Sequence, residues 1–511
     1  MTLPTWLDPL YEAYEMRAVD SWAIEEQGVP SLELMERAGE GLARAAAEVA
    51  AGGGGGRAPI RVVVGKGNNG GDGLVAARVL RADGHDVDVR AVAPLDQLEG
   101  DPRVNLERLP GDAPGPFEPD ALAGSSCVVD CLLGTGFSGS PREPVAGAIA
   151  ALDGQDAPVV ACDVPSGVDA TTGEVAEAAV SARLTATFHG SKVGLHVAPG
   201  AFHAGDVRVI EIGIPRGAPA PAAVGRIADL ALGLVPSRAR AGSKFDSGTV
   251  VVAGGARGLT GAPCMAALAA MRAGAGYVQV AVPASVEASF ELRLLEAMTV
   301  ALPDEAGTHV PDGVDEIARL AGRAGCVVLG PGLGRTEGAL AFARAAARAV
   351  EAPILLDADG LNAHAGALES LRERAAPTVL TPHAGELARL LETDSEAVSA
   401  HRLRCAREAA ERSDSIVILK GDDSIVVAPG GPVAVSPGGT PALATAGTGD
   451  VLSGIVGALL AKGLDPFAAA AVGVLAHVRA GEAAARRHGA DHVIAGDVIE
   501  AIPAGMRSRA A

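Results

Sequence analysis

The residues best suited to chemistry lie where Gly447-Thr448-Gly449-Asp450 runs into the apolar segment VLSGIVGALLA. Gly447 and Gly449 are expected to supply positive φ at a tight turn, and a helix starting here leaves its first backbone N–H groups without partners. Those donors and the positive end of the helix dipole make an anion site with Asp450 at its mouth. A carboxylate beside such a cradle suits a general base for a hydroxyl that attacks phosphorus. An N-capping aspartate, in a chain with 67 glycines in 511 residues, would read the same way locally.

A second candidate is Gly65-Lys66-Gly67-Asn68-Asn69-Gly70-Gly71-Asp72-Gly73, which follows the apolar run IRVVV. The GxGxxG it contains is a weak signal by itself. Its polar filling by Asn68, Asn69 and Asp72 points either to side-chain contacts with a ligand or ion, or to stabilisation of the turn. Asp130 sits inside the apolar CVVDCLL, where a lone carboxylate is costly to bury. It therefore meets a hydrogen-bond donor in the core or ligates a cation. Gly134-Thr135-Gly136-Phe137-Ser138-Gly139-Ser140 follows it, and Asp163 and Ser166 close the similar run PVVACDVPS. His189 reads as a hydrogen-bonded residue at a rim. In the second half, Asp357, Asp359, Asn362, His383, Glu386, Lys420, Asp422 and Asp450 all come shortly after strand-like runs. One sheet edge would bring them together.

Parallel strands are the elements that can place these groups. IRVVV, HDVDVRAV, CVVDCLL, PVVACDV and LTATF read as strands, the first two joined by the helix LVAARVLRADG, with a crevice expected outside their carboxyl ends. The pattern restarts at GTVVVAGG and continues through YVQVAV, CVVL, PILL, TVL and SIVIL. The helix after Asp450 is expected to bury Val451, Leu452, Ile455, Val456 and Leu459, with Gly463 at its C-terminal cap. Up to about residue 51 the chain reads as two helices, with Gly39 and Gly41 as the breakers in the second. The glycine run at 52–56 reads as a loop. Residues 213–243, rich in Ala, Pro and Gly, read as a boundary with a short helical piece near 227–234.

A net charge of −20 disfavours nonspecific binding to nucleic acid or to an anionic membrane, so anionic ligands need local cradles. No signal peptide or uninterrupted membrane-spanning run is read, and the six cysteines look like reduced core residues, so a cytoplasmic protein is expected. Only five lysines (66, 192, 244, 420 and 462) occur among 42 basic residues, and Lys66 and Lys420 stand in glycine loops. A compact ammonium fits such loops where a guanidinium fork does not. A closed homo-oligomer is the default assembly.

In order, GPGLG, LDADGLN, TPHAGE, LKGDD and ATAGTGDVLSG resemble the ADP- or ATP-dependent NAD(P)H-hydrate dehydratases, a ribokinase-like family. GNNGGDG, VVDCLLGTGFSG and DVPSGVD, with MRAVD and LMERAG before them, are similar to the NAD(P)H-hydrate epimerase domain, a Rossmann-like fold. The matches cover nearly the whole chain. The resemblance implies an α/β protein with a Rossmann-like three-layer domain at 1–226 and a ribokinase-like domain at 227–511. It also implies a bifunctional enzyme of metabolite repair. One half epimerises the R and S hydrates of NADH and NADPH; the other dehydrates the S form at the expense of ADP, giving NAD(P)H, AMP and phosphate.

Carried over by motif, Asn68, Asn69, Gly70, Gly71, Asp72 and Gly134 through Ser140 would hold the hydrate, with Asp163 at its reacting end. Asn69, Asp130 and Ser166 would coordinate K+. In the second half Gly332, Gly334 and His383 would line the hydrate, and Lys420, Gly421, Asp422, Asp423, Ser424 and Gly449 would hold the nucleotide. Asp450 would be the base, with Mg2+ on the nucleotide phosphates. The chain departs from the family pattern at Val478 and Glu482, and in SPGGTP before the ATAGTGD turn. The competing reading is a ribokinase-superfamily small-molecule kinase with a non-catalytic nucleotide-binding first half.

Overall fold

The computed structural model describes residues 3–52, 58–218 and 222–507. From residue 53 on, the glycine run at 52–56 lies outside the described residues. Pro9–Val224 forms one compact unit; Pro4–Asp8 and the chain from Gly225 form a second.

The first unit is a parallel sheet in the order Gly115–Pro116, Val87–Ala91, Ile60–Val64, Cys127–Cys131, Val159–Cys162, Leu184–Phe188, Asp206–Ile210. Chain order thus runs outward in one direction from Ile60–Val64 and then reverses, with Cys127–Cys131 placed on its other side. That reversal opens a crevice at the carboxyl ends of these two strands, as in Rossmann-like sheets. Both strands are almost wholly buried, which is why they read as unbroken apolar runs rather than alternating ones. Helix Asn68–Ala82 starts where Ile60–Val64 ends and packs on helix Ser31–Gly52. The glycines read as breakers in the latter are contact points. A Cβ on Gly39 would lie 2.4 Å from Val75 Cβ, and one on Gly41 2.3 Å from Ile210.

In the second unit the sheet runs Met298–Leu302, Tyr277–Pro283, Thr249–Ala253, Cys326–Leu329, Ile354–Leu356, Thr378–Leu380, Ile416–Leu419. Its order reverses in the same manner, at Thr249–Ala253. Two antiparallel strands, Ile425–Val427 and Val433–Val435, extend it. Helix Thr448–Ala461 buries Val451, Leu452, Ile455, Val456 and Leu459 as its spacing requires. The fold is therefore α/β, with a Rossmann-like first unit and a ribokinase-like second.

Three readings of local structure are corrected. The first 51 residues are not helical throughout: Leu7–Tyr11 is a strand, and helices Ala13–Ser21 and Ser31–Gly52 follow. In the segment read as a boundary, the helical piece expected near 227–234 is the 3-10 turn Asp229–Leu234, but Val224–Ile227 is a strand, too short to show among the neighbouring prolines and alanines. Among the described residues, helix Pro466–His488 is long and apolar enough to cross a membrane by length and composition. However, 83% of its apolar window is buried within the protein, including Val478. All six cysteines are buried and free.

Candidate active sites

In the first unit a cavity of about 1060 Å³ opens at the strand-order reversal. Asn68, Asn69, Asp72, Gly134, Thr135, Gly136, Phe137, Ser138, Ser140 and Asp163 line it, all of them anticipated from sequence. Gly70 and Gly71 do not line it; they lie beneath. A Cβ on Gly70 would come within 2.0 Å of Gly65 O, and one on Gly71 within 2.6 Å of Met35 Sδ. Glycine is needed there for close packing of the turn. Gly139, at φ 78°, bends the second loop without reaching the cavity.

Asp163 is the electrostatic centre. Its backbone is held at φ 66°, a left-handed conformation that β-carbon residues rarely adopt and that clusters at functional positions. Lys192 Nζ donates to Oδ1 at 2.5 Å, Thr187 Oγ1 at 3.1 Å and the Phe188 N–H at 3.3 Å, while Thr135 Oγ1 donates to Oδ2. Burial alone would raise the Asp163 carboxyl; the Lys192 ammonium and the hydroxyls overcome it and hold it below the usual range. Lys192 is only 1% exposed and also donates to Phe188 O at 2.9 Å. Asp72 faces the opposite fate. Burial, then repulsion from Asp163, pushes its carboxyl far up.

Sequence reading named neither Lys192 nor Asp20 as a site residue, though both line this cavity. The signals were present: Lys192 is one of the five lysines, and Asp20 ends the MRAVD string. His189 is corrected. It is half-buried at φ 59°, near Tyr11, and its Nδ1 has no hydrogen-bond partner.

Asp130 meets donors. The Ser166 hydroxyl donates at 2.6 Å, the Ser166 N–H at 2.8 Å and the Leu132 N–H at 3.2 Å. No lysine, arginine or histidine among the described residues pairs with it, and burial raises its carboxyl. Beside it, Asn69 Nδ2 donates to the carbonyls of Cys162 (2.7 Å) and Leu133 (2.9 Å).

In the second unit the carboxyl ends of three strands deliver Asp357, Glu386 and Lys420 to one cluster. Lys420 Nζ lies 3.0 Å from Asp357 Oδ1 and 3.5 Å from Glu386 Oε2. Thr381 (2.8 Å) and Ser453 (2.7 Å) donate to Asp357, so Ser453 ties the Asp450 helix to the sheet. Burial would lower the Lys420 ammonium; Asp357 and Glu386 outweigh it and raise it. Gly447 caps the helix at φ 92°, as expected. Gly449 does not have positive φ: it sits inside the first turn, where a Cβ would stand 3.5 Å from Lys420 Nζ. Its value is proximity rather than backbone freedom. Burial, followed by the Asp357 charge, pushes the Asp450 carboxyl up to about 7 against the pull of Lys420. His477 lies against the Thr448 backbone, and burial lowers it to about 4, so it is neutral.

Other anticipated residues fall into separate groups. His383 caps helix Ala384–Leu391, its Nδ1 accepting from the Gly385 N–H at 3.0 Å, and its imidazole is half exposed. Gly332 and Gly334 have positive φ, and the Gly334 N–H donates to Asp359 at 3.0 Å. Asp359 also holds Arg335 and Asn362. Asp422 is exposed. Asp423 points inward to Arg402, with ion-pair distances of 2.8 and 2.6 Å. The Ser424 hydroxyl donates to Gly421 O at 2.8 Å, closing the turn. In this loop Gly421 and Asp422 therefore face solvent, while Asp423 anchors the loop.

Residues 31–194 match the family model described as YjeF-related protein N-terminus, and residues 250–504 the one described as NAD(P)H-hydrate dehydratase. A bifunctional NAD(P)H-hydrate repair enzyme from Salinibacter ruber is 42% identical, with 97% of this chain and 95% of that protein covered. One from Moorella thermoacetica is 37% identical, with 98% and 97% covered. A solved structure, the ADP/ATP-dependent NAD(P)H-hydrate dehydratase of Bacillus subtilis co-crystallized with ATP/Mg2+, is 27% identical. It covers 54% of this chain and 94% of that one, at a TM-score of 0.48. With both family models in order on one chain and whole-length relatives above 30% identity, the chain belongs to the bifunctional NAD(P)H-hydrate repair enzyme family.

Proposed function

We propose that this chain repairs hydrated NADH and NADPH with two sites. The first unit interconverts the R and S hydrates; the second dehydrates the S form, consuming ADP and releasing NAD(P)H, AMP and phosphate. The observation that carries the reading is Asp450. It is a carboxyl at a helix N-terminus, raised to about 7, in the same cluster as Lys420. A base near neutrality can take the proton of the hydrate hydroxyl as that oxygen attacks the terminal phosphorus of ADP. The helix N–H groups and Lys420 stabilise charge on the moving phosphoryl. Phosphate then leaves as the ring nitrogen pushes in its lone pair, and the adjacent ring carbon gives up a proton to the departing phosphate or to water, so the double bond returns. The polar set around Asp163 is complete, which argues against a non-catalytic first half.

Asn69, Asp130 and Ser166, with the carbonyls of Leu133 and Cys162, would hold K+ in the first unit. Asp130, Ser166 and the two carbonyls offer oxygen, and the buried Asp130 carboxyl has no cationic partner among the described residues, which fits a hard monovalent ion; the Asn69 amide, which donates through Nδ2 to both carbonyls, would turn its Oδ1 to the ion. That ion would supply the positive charge the loop lacks. Mg2+ would be carried mainly on the nucleotide phosphates. Asp357 and Glu386 are the carboxylates that would hold it. The domains we assign are 1–226 for epimerisation and 227–511 for dehydration, acting on small molecules in the cytoplasm as a homo-oligomer.

The test is recovery of reduced-nicotinamide absorbance from a mixed-epimer hydrate with ADP, Mg2+ and K+. Recovery of the whole pool supports both activities. Recovery of one epimer alone removes the epimerase. No recovery with ADP or ATP favours the kinase reading, to be followed with small alcohols as phosphoryl acceptors.

A further inference from the structure

Inverting a carbon that bears a hydroxyl requires a bond to that carbon to break and re-form on the other face. Reduced nicotinamide is an enamine, so water adds with its oxygen on the carbon beside the ring nitrogen. Ionising that C–O bond needs a proton for the departing oxygen, and re-addition of water needs a group to take a proton back. Asp163 is ill-suited to either task. Four donors occupy its oxygens, one of them the Lys192 ammonium, so a proton would have to displace an ion pair. Asp72 is nearly sealed, with the Cys162 thiol donating to it at 3.8 Å.

Asp20 is different. It sits on helix Ala13–Ser21 and lines the same cavity. It is half-buried and makes no hydrogen bond or ion pair to another described residue. It is close enough to Asp163 and Lys192 for both charges to act on it. An unpartnered carboxyl facing the cavity beside a saturated one is free to exchange a proton with whatever the cavity holds.

We propose that Asp20 is the proton carrier of epimerisation, with Asp163 as a fixed charge that positions the reacting ring; this rests on the epimerase reading above. Asp20 gives its proton to the hydroxyl, the C–O bond breaks with its electron pair on oxygen, and water leaves. The ring nitrogen shares its lone pair with the resulting cation. Water then adds to the opposite face and returns a proton to Asp20. Atoms and charge balance, and no further reactant is consumed.

Burial, with repulsion from Asp163 and against the pull of Lys192, raises the Asp20 carboxyl to about 6. Asp72 adds a coupled carboxyl from helix Asn68–Ala82. Arg17 on the same helix, and Lys66, Asp101, Arg142 and Glu143 on the other walls, complete the charged groups around the cavity.

The experiment follows R-to-S interconversion by chromatography on the full chain without nucleotide, across pH 5 to 9. For the wild type, kcat should fall as pH rises through about 6 to 7, where the acid loses its proton. D20N should lose at least about 100-fold in kcat and lose that limb, with little change in KM, while ADP-dependent loss of the S hydrate is retained. D20E should restore part of the rate and keep a limb, which a merely structural role would not do. D20N epimerising within about threefold of wild type with the limb intact would overturn the proposal. So would a D20E protein with wild-type melting and no recovery of rate. Failure of the wild type itself to interconvert the hydrates would instead remove the epimerase reading.

Discussion

If Asp450 is the base, dehydration should carry its titration. The carboxyl is moved from an ordinary 3.8 to about 7 by burial and the Asp357 charge, with Lys420 pulling down. A base works ionised, so the rate rises with pH through that value. The ionised fraction climbs from about one tenth at pH 6 to about nine tenths at pH 8, a rise of roughly tenfold in kcat. Replacing Lys420 by Met removes the cation that favours the charged form, so the limb should shift to higher pH besides any loss of nucleotide affinity. Asp450→Asn should lower kcat by about 10²–10⁴ while sparing epimerisation. The assay is single-turnover dehydration of purified S hydrate at saturating ADP, which separates chemistry from release. A profile flat from pH 5.5 to 8.5, or a limb unmoved in Lys420→Met, would refute the assignment of the base.

Asp163→Ala should leave only one epimer repairable on timescales faster than spontaneous epimerisation; equal consumption of both epimers by this variant would count against the site. Gly70→Ala forces a Cβ to within 2.0 Å of Gly65 O, so epimerisation should fall sharply while dehydration of the S hydrate persists. Arg402→Met removes the ion pair with the buried Asp423 and should destabilise the second unit, read as a lower urea midpoint. Asp130→Asn should remove a dependence of epimerisation on K+, measured by titrating K+ against a tetramethylammonium background.

The order of strands and glycine turns was legible because both sheets are parallel and buried on both faces, leaving apolar runs that stop where polar loops begin. The same logic placed Asp450 at a helix start and Asp163 at a strand end. Local pattern also misled. Gly39 and Gly41 read as helix breakers but are contact points, and a strand near the N-terminus read as helix, because neither contacts nor pairing partners appear in a local window.

What only the tertiary structure decided is charge state and partnership. Asp130 could have met a donor or a cation; Ser166, 36 positions away, supplies donors. Asp423 was grouped with the nucleotide loop, and Arg402 claims it. Lys192 and Asp20 are ordinary letters until the fold brings them to one cavity with Asp163 and Asp72. The sequence determined which strand ends carry chemistry, since that follows from hydrophobic run and turn. It did not determine which carboxyl a lysine holds down and which burial raises, since those depend on burial and on neighbours that are distant along the chain.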